Sequence, residues 1–257
     1  MTEIIYVDTQ LGRFQCYEDT VGRALRAGQF WDQQIQSALD EADPTGWAFD
    51  LGANIGWFTV YLATRHVRVI AVEAQPQTFQ LLQGNVWRNA LSNVLCLNLA
   101  AYDTDAPLAL ATPAAVGWDW DGSYDMTTCP HPASIVYWPA TEGMTPVTYG
   151  VRLDGFATGQ WVTLIKVDVQ GCDLRALRGL IQTIRRCRPL IVFEYEDSPS
   201  KWNGTCWEDY LDFFRQLNYT VTRIRADLWD YVARPQPMSA QPRGCDPGAD
   251  HKCERHR

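Results

Sequence analysis

The residues of this chain best suited to chemistry fall in four places. Asp50, Gly52, Ala53, Asn54 and Gly56 lie in Ala48-Phe-Asp-Leu-Gly-Ala-Asn-Ile-Gly-Trp-Phe-Thr-Val-Tyr-Leu-Ala, where an apolar run, a glycine-containing turn and a second apolar run follow directly on one another. A strand, turn and helix in that order, with the helix starting at Ile55, aims free backbone N–H groups at the carboxyl edge of a sheet, where ligands of such folds bind. Glu73 closes the next apolar run 21 residues after Gly52, where a carboxylate accepts both hydroxyls of an adenosine ribose. Lys166 and Asp168 close a third run and Glu194 a fourth. Lysine occurs only at Lys166, Lys201 and Lys252 against 19 arginines, so a lysine inside an apolar run needs a reason.

What is missing from the first segment narrows the ligand. A dinucleotide fingerprint requires Gly-x-Gly-x-x-Gly so that backbone can approach a pyrophosphate, whereas the corresponding positions here are Gly52, Asn54 and Trp57. Asp50 in the turn repels phosphate yet can orient a water or the α-ammonium of an amino-acid moiety. S-adenosylmethionine carries that ammonium and no phosphate, so it is the cofactor to which these residues point. Ala74 beside Glu73, and Ala101 in Ala100-Ala-Tyr-Asp at the end of the third strand, complete the expected cofactor site, with the third strand bordering the adenine.

These side chains need a scaffold that brings strand ends together. From Gly46 to Tyr195 short apolar runs alternate with segments of helical period, which predicts an α/β fold with a parallel sheet. Strands are expected at 47–51, 68–73, 94–99, 162–168 and 190–194. Phe79, Leu82 and Val86 share one helical face, and Leu174, Leu177, Ile181 and Ile184 another, leaving Arg175, Arg178 and Arg185 to solvent. Helix 207–217 carries an aromatic stripe read as core, and strands 219–224 and 228–233 form an antiparallel pair closing the sheet.

Residues 1–45 are expected to form an N-terminal cap or lid, with Phe30 and Trp31 leading into a helix near 33–41, and residues 46–234 the main domain. An insertion at about 113–146 carries Trp118, Trp120, Tyr124 and Trp138, which can stack on the apolar faces of a sugar ring or pack the loop shut on itself. The Pro-rich tail, 235–257, holds Cys245, His251, Cys253 and His256, four zinc-ligand types at a spacing that matches no standard finger.

Composition excludes several classes. The 257 residues are 46% hydrophobic and 20% charged, a balance that rules out a disordered or collagen-like chain. The net charge of −8 argues against a broad basic surface for nucleic acid. No run approaches the ~18 apolar residues of a membrane span, and the opening lacks the marks of a signal peptide. A cytoplasmic protein is expected, with Cys96, Cys172 and Cys187 as thiols.

In order along the chain, Phe49-Asp-Leu-Gly-Ala-Asn-Ile-Gly, Val72-Glu-Ala-Gln-Pro, Asn85 to Asp103, Val151-Arg-Leu-Asp, and Ile165-Lys-Val-Asp-Val-Gln-Gly-Cys-Asp resemble the FkbM family of S-adenosylmethionine-dependent methyltransferases. The resemblance runs from about Gly46 to Glu196. It implies a class I, Rossmann-like fold, a mostly parallel seven-stranded sheet of order 3-2-1-4-5-7-6 with an antiparallel last strand, and O-methylation of a small-molecule hydroxyl, such as that of a sugar or glycan. Gln170 and Asp173 stand where the family usually has Glu.

Three readings of Asp168 stay open: general base, ligand with Glu194 of a magnesium or manganese ion, as in the similar catechol-type O-methyltransferases, or structural ion-pair partner of Lys166. Lys166 is read as electrostatic support, and Asp154 either as a family site position or as a helix cap. Other activities remain in view: ribose methylation of an RNA cap or other nucleic acid, and a non-catalytic cofactor-binding scaffold. The sequence does not fix the oligomeric state.

Overall fold

The computed structural model describes residues 3–18, 20–28, 33–111, 136–139 and 148–237. An antiparallel hairpin of β1 (Ile4–Thr9) and β2 (Gly12–Tyr17) comes first, then α1 (Thr20–Arg26) and α2 (Gln33–Leu39). The alternation expected from hydrophobic pattern follows as β3 (Trp47–Leu51), α3 (Trp57–Ala63), β4 (Arg68–Val72), α4 (Pro76–Arg88) and β5 (Val94–Leu97). Next come β6 (Ala100–Ala101), β7 (Ala106–Ala111), β8 (Val136–Pro139), β9 (Thr148–Val151) and a 3-10 turn at Leu153–Ala157. The carboxyl half holds β10 (Val162–Val167), α5 (Asp173–Arg178), α6 (Ile181–Cys187), β11 (Leu190–Glu194), α7 (Asp197–Trp202), α8 (Trp207–Gln216), β12 (Tyr219–Arg223) and β13 (Asp230–Pro235).

Seven of these strands form one sheet in the order β12-β13-β11-β10-β3-β4-β5. Strands β11, β10, β3, β4 and β5 pair in parallel, and β13 runs antiparallel to both neighbours, the order and direction that the resemblance implies. All six residues of β10 are buried, as a central strand covered on both faces requires. Alternation along the strands divides the core. Phe49, Leu51, Ile165 and Phe193 pack with Leu174, Leu177, Ile184, Tyr210 and Phe214 on one face. On the other, Ala48, Leu164 and Val192 lie under α3 and the hairpin. The aromatic stripe of α8 is core, with the Tyr210 and Phe214 rings 5.5 and 5.0 Å from Phe193.

Several expectations change in detail. Helix α3 starts at Trp57, not Ile55, because Asn54 and Gly56 both take left-handed backbone (φ 50° and 89°), and a helix can begin only beyond them. The helix expected across 174–184 is two helices. Gly179 sits where a Cβ would come within 2.0 Å of the Tyr102 carbonyl, so the chain bends there and restarts at Ile181. Arg175 is not left to solvent: it pairs with Asp103 at 3.2 Å and donates to the Asn203 carbonyl. Cys96, Cys172 and Cys187 are thiols as expected. Among the described residues, no helix is long and apolar enough to cross a membrane.

The insertion grows from a second, four-stranded sheet of order β6-β9-β7-β8, with β7 and β8 its antiparallel stems. Trp138 pairs with Ala109 there through backbone, whereas Trp118, Trp120 and Tyr124 lie outside the described residues. Phe30, Trp31 and the Cys245, His251, Cys253 and His256 cluster lie outside them as well.

The hairpin is built into the core. Ile5, Val7, Phe14 and Cys16 are buried with α3, and Phe14 lies 5.2 Å from Trp57. Two amides of α4 bind the backbone of β2 as a neighbouring strand would. Asn85 Oδ1 accepts from the Gln15 N–H (2.7 Å) and its Nδ2 donates to the Gln15 carbonyl (2.9 Å). Asn89 does the same at Arg13 (3.0 Å each way). The spacings match: four residues of helix rise ~6 Å and two of strand ~6.8 Å. Gly84 permits the approach, since a Cβ there would meet Gln15 Nε2 at 2.0 Å. The same Asn85 Nδ2 also donates to the Ile55 carbonyl (2.8 Å), tying hairpin, helix and the turn after β3 together. Replacing Asn85 with Ala should therefore cost about 1–3 kcal/mol in urea unfolding, the range for stranding buried hydrogen-bonding groups. An unchanged midpoint would mean that apolar contacts alone hold the hairpin.

Candidate functional site

The parallel strands deliver their ends to one edge of the sheet. Register sets Lys166 of β10 directly beside Asp50 of β3, and Asp168 follows one residue past the end of β10. Glu194 ends β11, opposite Asp230 of β13, and Glu73 follows the last residue of β4. The residues singled out from four separate runs thus lie along one edge.

At the centre is a buried cation. Lys166, 4% exposed, holds its Nζ 3.6 Å from Asp50 Oδ1 and 3.5 Å from Asp168 Oδ2. Burial pulls its pKa down, but Asp168 and Asp50 outweigh that and hold the ammonium charged above its ordinary value. The Phe58 ring adds a cation–π contact at 5.0 Å. Asp50 is fully buried, and burial pushes its carboxyl up against the opposing pull of Lys166 and of Thr59, whose hydroxyl donates to Oδ2 at 2.6 Å. Asp168 is different. Its side chain is 37% exposed, so it can touch a ligand.

The turn after β3 is fixed from two sides. The N–H groups of Gly52 and Ala53 both donate to the Val72 carbonyl (2.9 and 3.0 Å), and the Asp168 N–H donates to the Leu51 carbonyl (3.0 Å). Glu73 joins this turn to the next, since its oxygens accept from the N–H groups of Asn54 (2.9 Å) and Gln75 (2.8 Å). Burial pushes the Glu73 carboxyl up to about 7 despite those donors. Asn98 secures the stretch by donating to the Glu73 and Ala74 carbonyls (2.8 and 3.2 Å). Ala53 and Ala74 are buried beside the turns, while Ala101 is buried in the main core, where it pairs with Val151 of β9.

Asp168 and Glu194 do not face each other across an open gap. Gln170 Nε2 donates to Asp168 Oδ1 (2.8 Å) and to Glu194 Oε2 (3.1 Å). Burial, with Asp168 and Glu196 nearby, pushes the Glu194 carboxyl well up. Asp173, fully buried, accepts from the Gly171 N–H at 3.2 Å and is pushed up to about 8 by burial and by Asp168. A divalent ion prefers several oxygen ligands, and an amide N–H offers none. Among the described residues no group of three His, Cys, Asp or Glu side chains could hold a metal ion, so this donor set does not fit the magnesium or manganese expected as an option.

Thr59, Phe58, Asn98 and the bridging role of Gln170 were not legible as site features. A lone threonine inside the apolar run Trp57–Ala63 was the available signal for Thr59. Asp154 caps a helix, though not its own: its carboxylate accepts from the N–H groups of Gln182 (3.1 Å) and Thr183 (2.8 Å) at the start of α6.

The family description "Methyltransferase FkbM domain" matches residues 50–221. A protein named Methyltransferase 1 from Beauveria bassiana (strain ARSEF 2860) is 31% identical over 144 residues, 51% of this chain and 57% of that protein. The match thus spans little more than half of that relative's length. Among solved structures, a methyltransferase FkbM from Methylobacillus flagellatus KT is 16% identical with a TM-score of 0.44, covering 74% of this chain and 43% of that one. An rRNA methylase from Streptococcus thermophilus is 10% identical with a TM-score of 0.46, covering 79% and 95%.

The turn has no room for a side chain at Gly52, where φ is 74° and a Cβ would stand 1.8 Å from the Asp168 carbonyl oxygen. Changing Gly52 to Ala should destabilise the fold by about 2–4 kcal/mol, from overpacking plus left-handed strain. Thermal unfolding reads this out, and a wild-type midpoint would show that the turn and the Asp168 backbone can separate freely.

Proposed function

The chain belongs to the FkbM methyltransferase family, and from that premise we propose that it transfers a methyl group from S-adenosylmethionine to a hydroxyl of a small, uncharged acceptor such as a sugar. The observation that carries the reading is the Asp50–Lys166–Asp168 chain, whose last carboxylate is half-open at the edge of the sheet beside the Gly52 turn.

The residues present suit the cofactor. Asp50 Oδ1 faces the Lys166 ammonium at 3.6 Å and the Gly52 turn is packed against the Asp168 carbonyl, so the cofactor would lie along the rim that Glu73 and the Asn54 turn form. Glu73 would accept the ribose hydroxyls, since each carboxylate oxygen has a lone pair beyond its bond to a backbone N–H. Ala53, Asn54, Gly56 and Ala74 line the same turns, whereas Ala101, expected at the end of the third strand, lies in β6 of the second sheet and is buried in the core. Bound there, the cofactor supplies a sulfonium-activated methyl group open to in-line displacement by oxygen. Orientation of the two reactants provides much of the acceleration.

This chain's own part is proton handling and alignment. Asp168 would take the proton of the acceptor hydroxyl as that oxygen receives the methyl group that the bound cofactor would supply. Lys166 stays protonated and offsets the negative charge beside it, that of Asp168 until Asp168 takes the proton. Glu194, its carboxyl pushed up, holds Asp168 through Gln170. Carboxylates gathered at this edge, in a chain of net charge −8, favour a neutral hydroxyl over a phosphorylated acceptor or a nucleic-acid backbone. The aromatic insertion is the candidate wall for a sugar ring.

Titration calorimetry with S-adenosylmethionine should give saturable binding and NAD none, and the reverse would sink the reading. Because ribose hydroxyls donate to the anion of Glu73, affinity should fall as pH drops through about 7, by up to about tenfold per unit, and level off above it. A Glu73→Gln variant should bind more weakly with no such slope.

Asp168→Asn should lose at least ~100-fold in turnover, the low end for a positioned base, with cofactor affinity nearly unchanged. Steady-state kinetics with a sugar and phenol panel and labelled cofactor checks this. Near-normal turnover would remove Asp168 from the chemistry.

A further inference from the structure

The carboxylates at the ends of β10 and β11 stand where a cation would be shared, yet a single side chain spans them. Gln170 reaches this position through consecutive left-handed residues, φ 54° at Gln170 and 86° at Gly171, which turn the chain back so that the amide meets Asp168 two residues earlier. Its Nε2 carries two hydrogens and donates one to Asp168 Oδ1 (2.8 Å) and one to Glu194 Oε2 (3.1 Å). Nothing on that nitrogen can ligate a metal. The other Asp168 oxygen faces the Lys166 ammonium at 3.5 Å, so a resident cation already serves this carboxylate. To admit a divalent ion the amide would have to turn over and surrender both hydrogen bonds.

We propose that Gln170 is a positioning residue that takes the place of a metal ion, its amide joining Asp168 to Glu194 so that Asp168 is aimed at the acceptor without a divalent cation. The consequence for turnover rests on the methyl-transfer reading, whereas the metal-binding behaviour does not.

Three expectations follow for the full-length protein. Wild type gives no binding heat with up to millimolar Mn²⁺, and turnover is unaffected by chelator. Gln170→Glu puts three carboxylates around one point and acquires Mn²⁺ binding with a submillimolar dissociation constant, which Asp168→Asn in the same background abolishes. Gln170→Ala, which adds no charge and serves if the Glu variant does not fold, lowers kcat by about tenfold or more while KM for the methyl donor holds. A purely structural role would instead lower folding stability and leave that kcat-against-KM split absent.

Mn²⁺ binding by wild type that disappears in Asp168→Asn would overturn the proposal. So would a folded Gln170→Glu protein that binds no Mn²⁺, or a Gln170→Ala enzyme with wild-type kcat. If wild type instead ignores both Mn²⁺ and S-adenosylmethionine, the methyl-transfer reading fails, and the Mn²⁺ response of Gln170→Glu still decides the role of the amide in the carboxylate pair.

Discussion

One buried ammonium governs the carboxyl edge of this sheet. Lys166 lies in a fully buried strand whose other residues are uncharged, and taking its charge out of water costs several kcal/mol unless partners repay it. Asp50 and Asp168 do so at 3.6 and 3.5 Å, from the neighbouring strand and from the residue after the strand. The arrangement is reciprocal. Without the ammonium, two carboxylates would be left crowded and partly desolvated, and with it the strand register Lys166 beside Asp50 becomes an electrostatic requirement as well as a backbone one. Ordering of the turn after β3 follows, because the Leu51 carbonyl and the Asp168 N–H are joined one step beyond the same pair.

A second constraint acts from the opposite side of that turn. Asn85 holds the Ile55 carbonyl with the same nitrogen that holds β2, so the hairpin and the turn share one donor. Phe14 against Trp57 extends the contact into the apolar layer. The turn is therefore gripped between charge on its inner side and packing on its outer side, while Glu73 spans its free rim through the Asn54 N–H. Preorganisation of this kind reduces the ordering that a ligand would have to impose.

Much of the central sheet was legible because its parallel strands are mostly apolar runs of four to six residues separated by helical periods, a signal local in sequence. Strand order was not local information. It came from the family resemblance, and the parallel and antiparallel pairings agree with it. Strand alternation puts Lys166 and Asp168 on one face, but that Asp50 faces the same ammonium follows from the pairing of β3 with β10. The hairpin was overlooked although Ile4-Ile-Tyr-Val-Asp-Thr and Gly12-Arg-Phe-Gln-Cys-Tyr alternate around a glycine, because its buried face makes sense only once α3 and α4 are beneath it. The small second sheet depends on pairing Ala100 with Gly150, a separation no local pattern encodes. Helix α3 was placed two residues early because Asn54 and Gly56, residue types that tolerate left-handed backbone, prolong the turn to Trp57.

The carboxylates of the site separate by environment more than by residue type. Asp50, with no exposed surface and a hydroxyl and an ammonium for neighbours, is confined to holding Lys166. Glu73, 9% exposed and bound to two backbone N–H groups, sits at a rim where only a ligand lying along the turns can reach it. Glu194 is crowded by Asp168, Glu196, Asp173 and Asp230 and is pushed toward its protonated form, which suits it to steady a neighbour rather than to accept another proton. Asp168 combines the remaining properties: an open side, an ammonium behind it and an amide fixing its orientation. Proton acceptance in the proposed transfer falls to Asp168 for that reason. A Glu at position 170 would bring a third carboxylate to this point, whereas the Gln of this chain brings a donor, which satisfies the pair without adding charge.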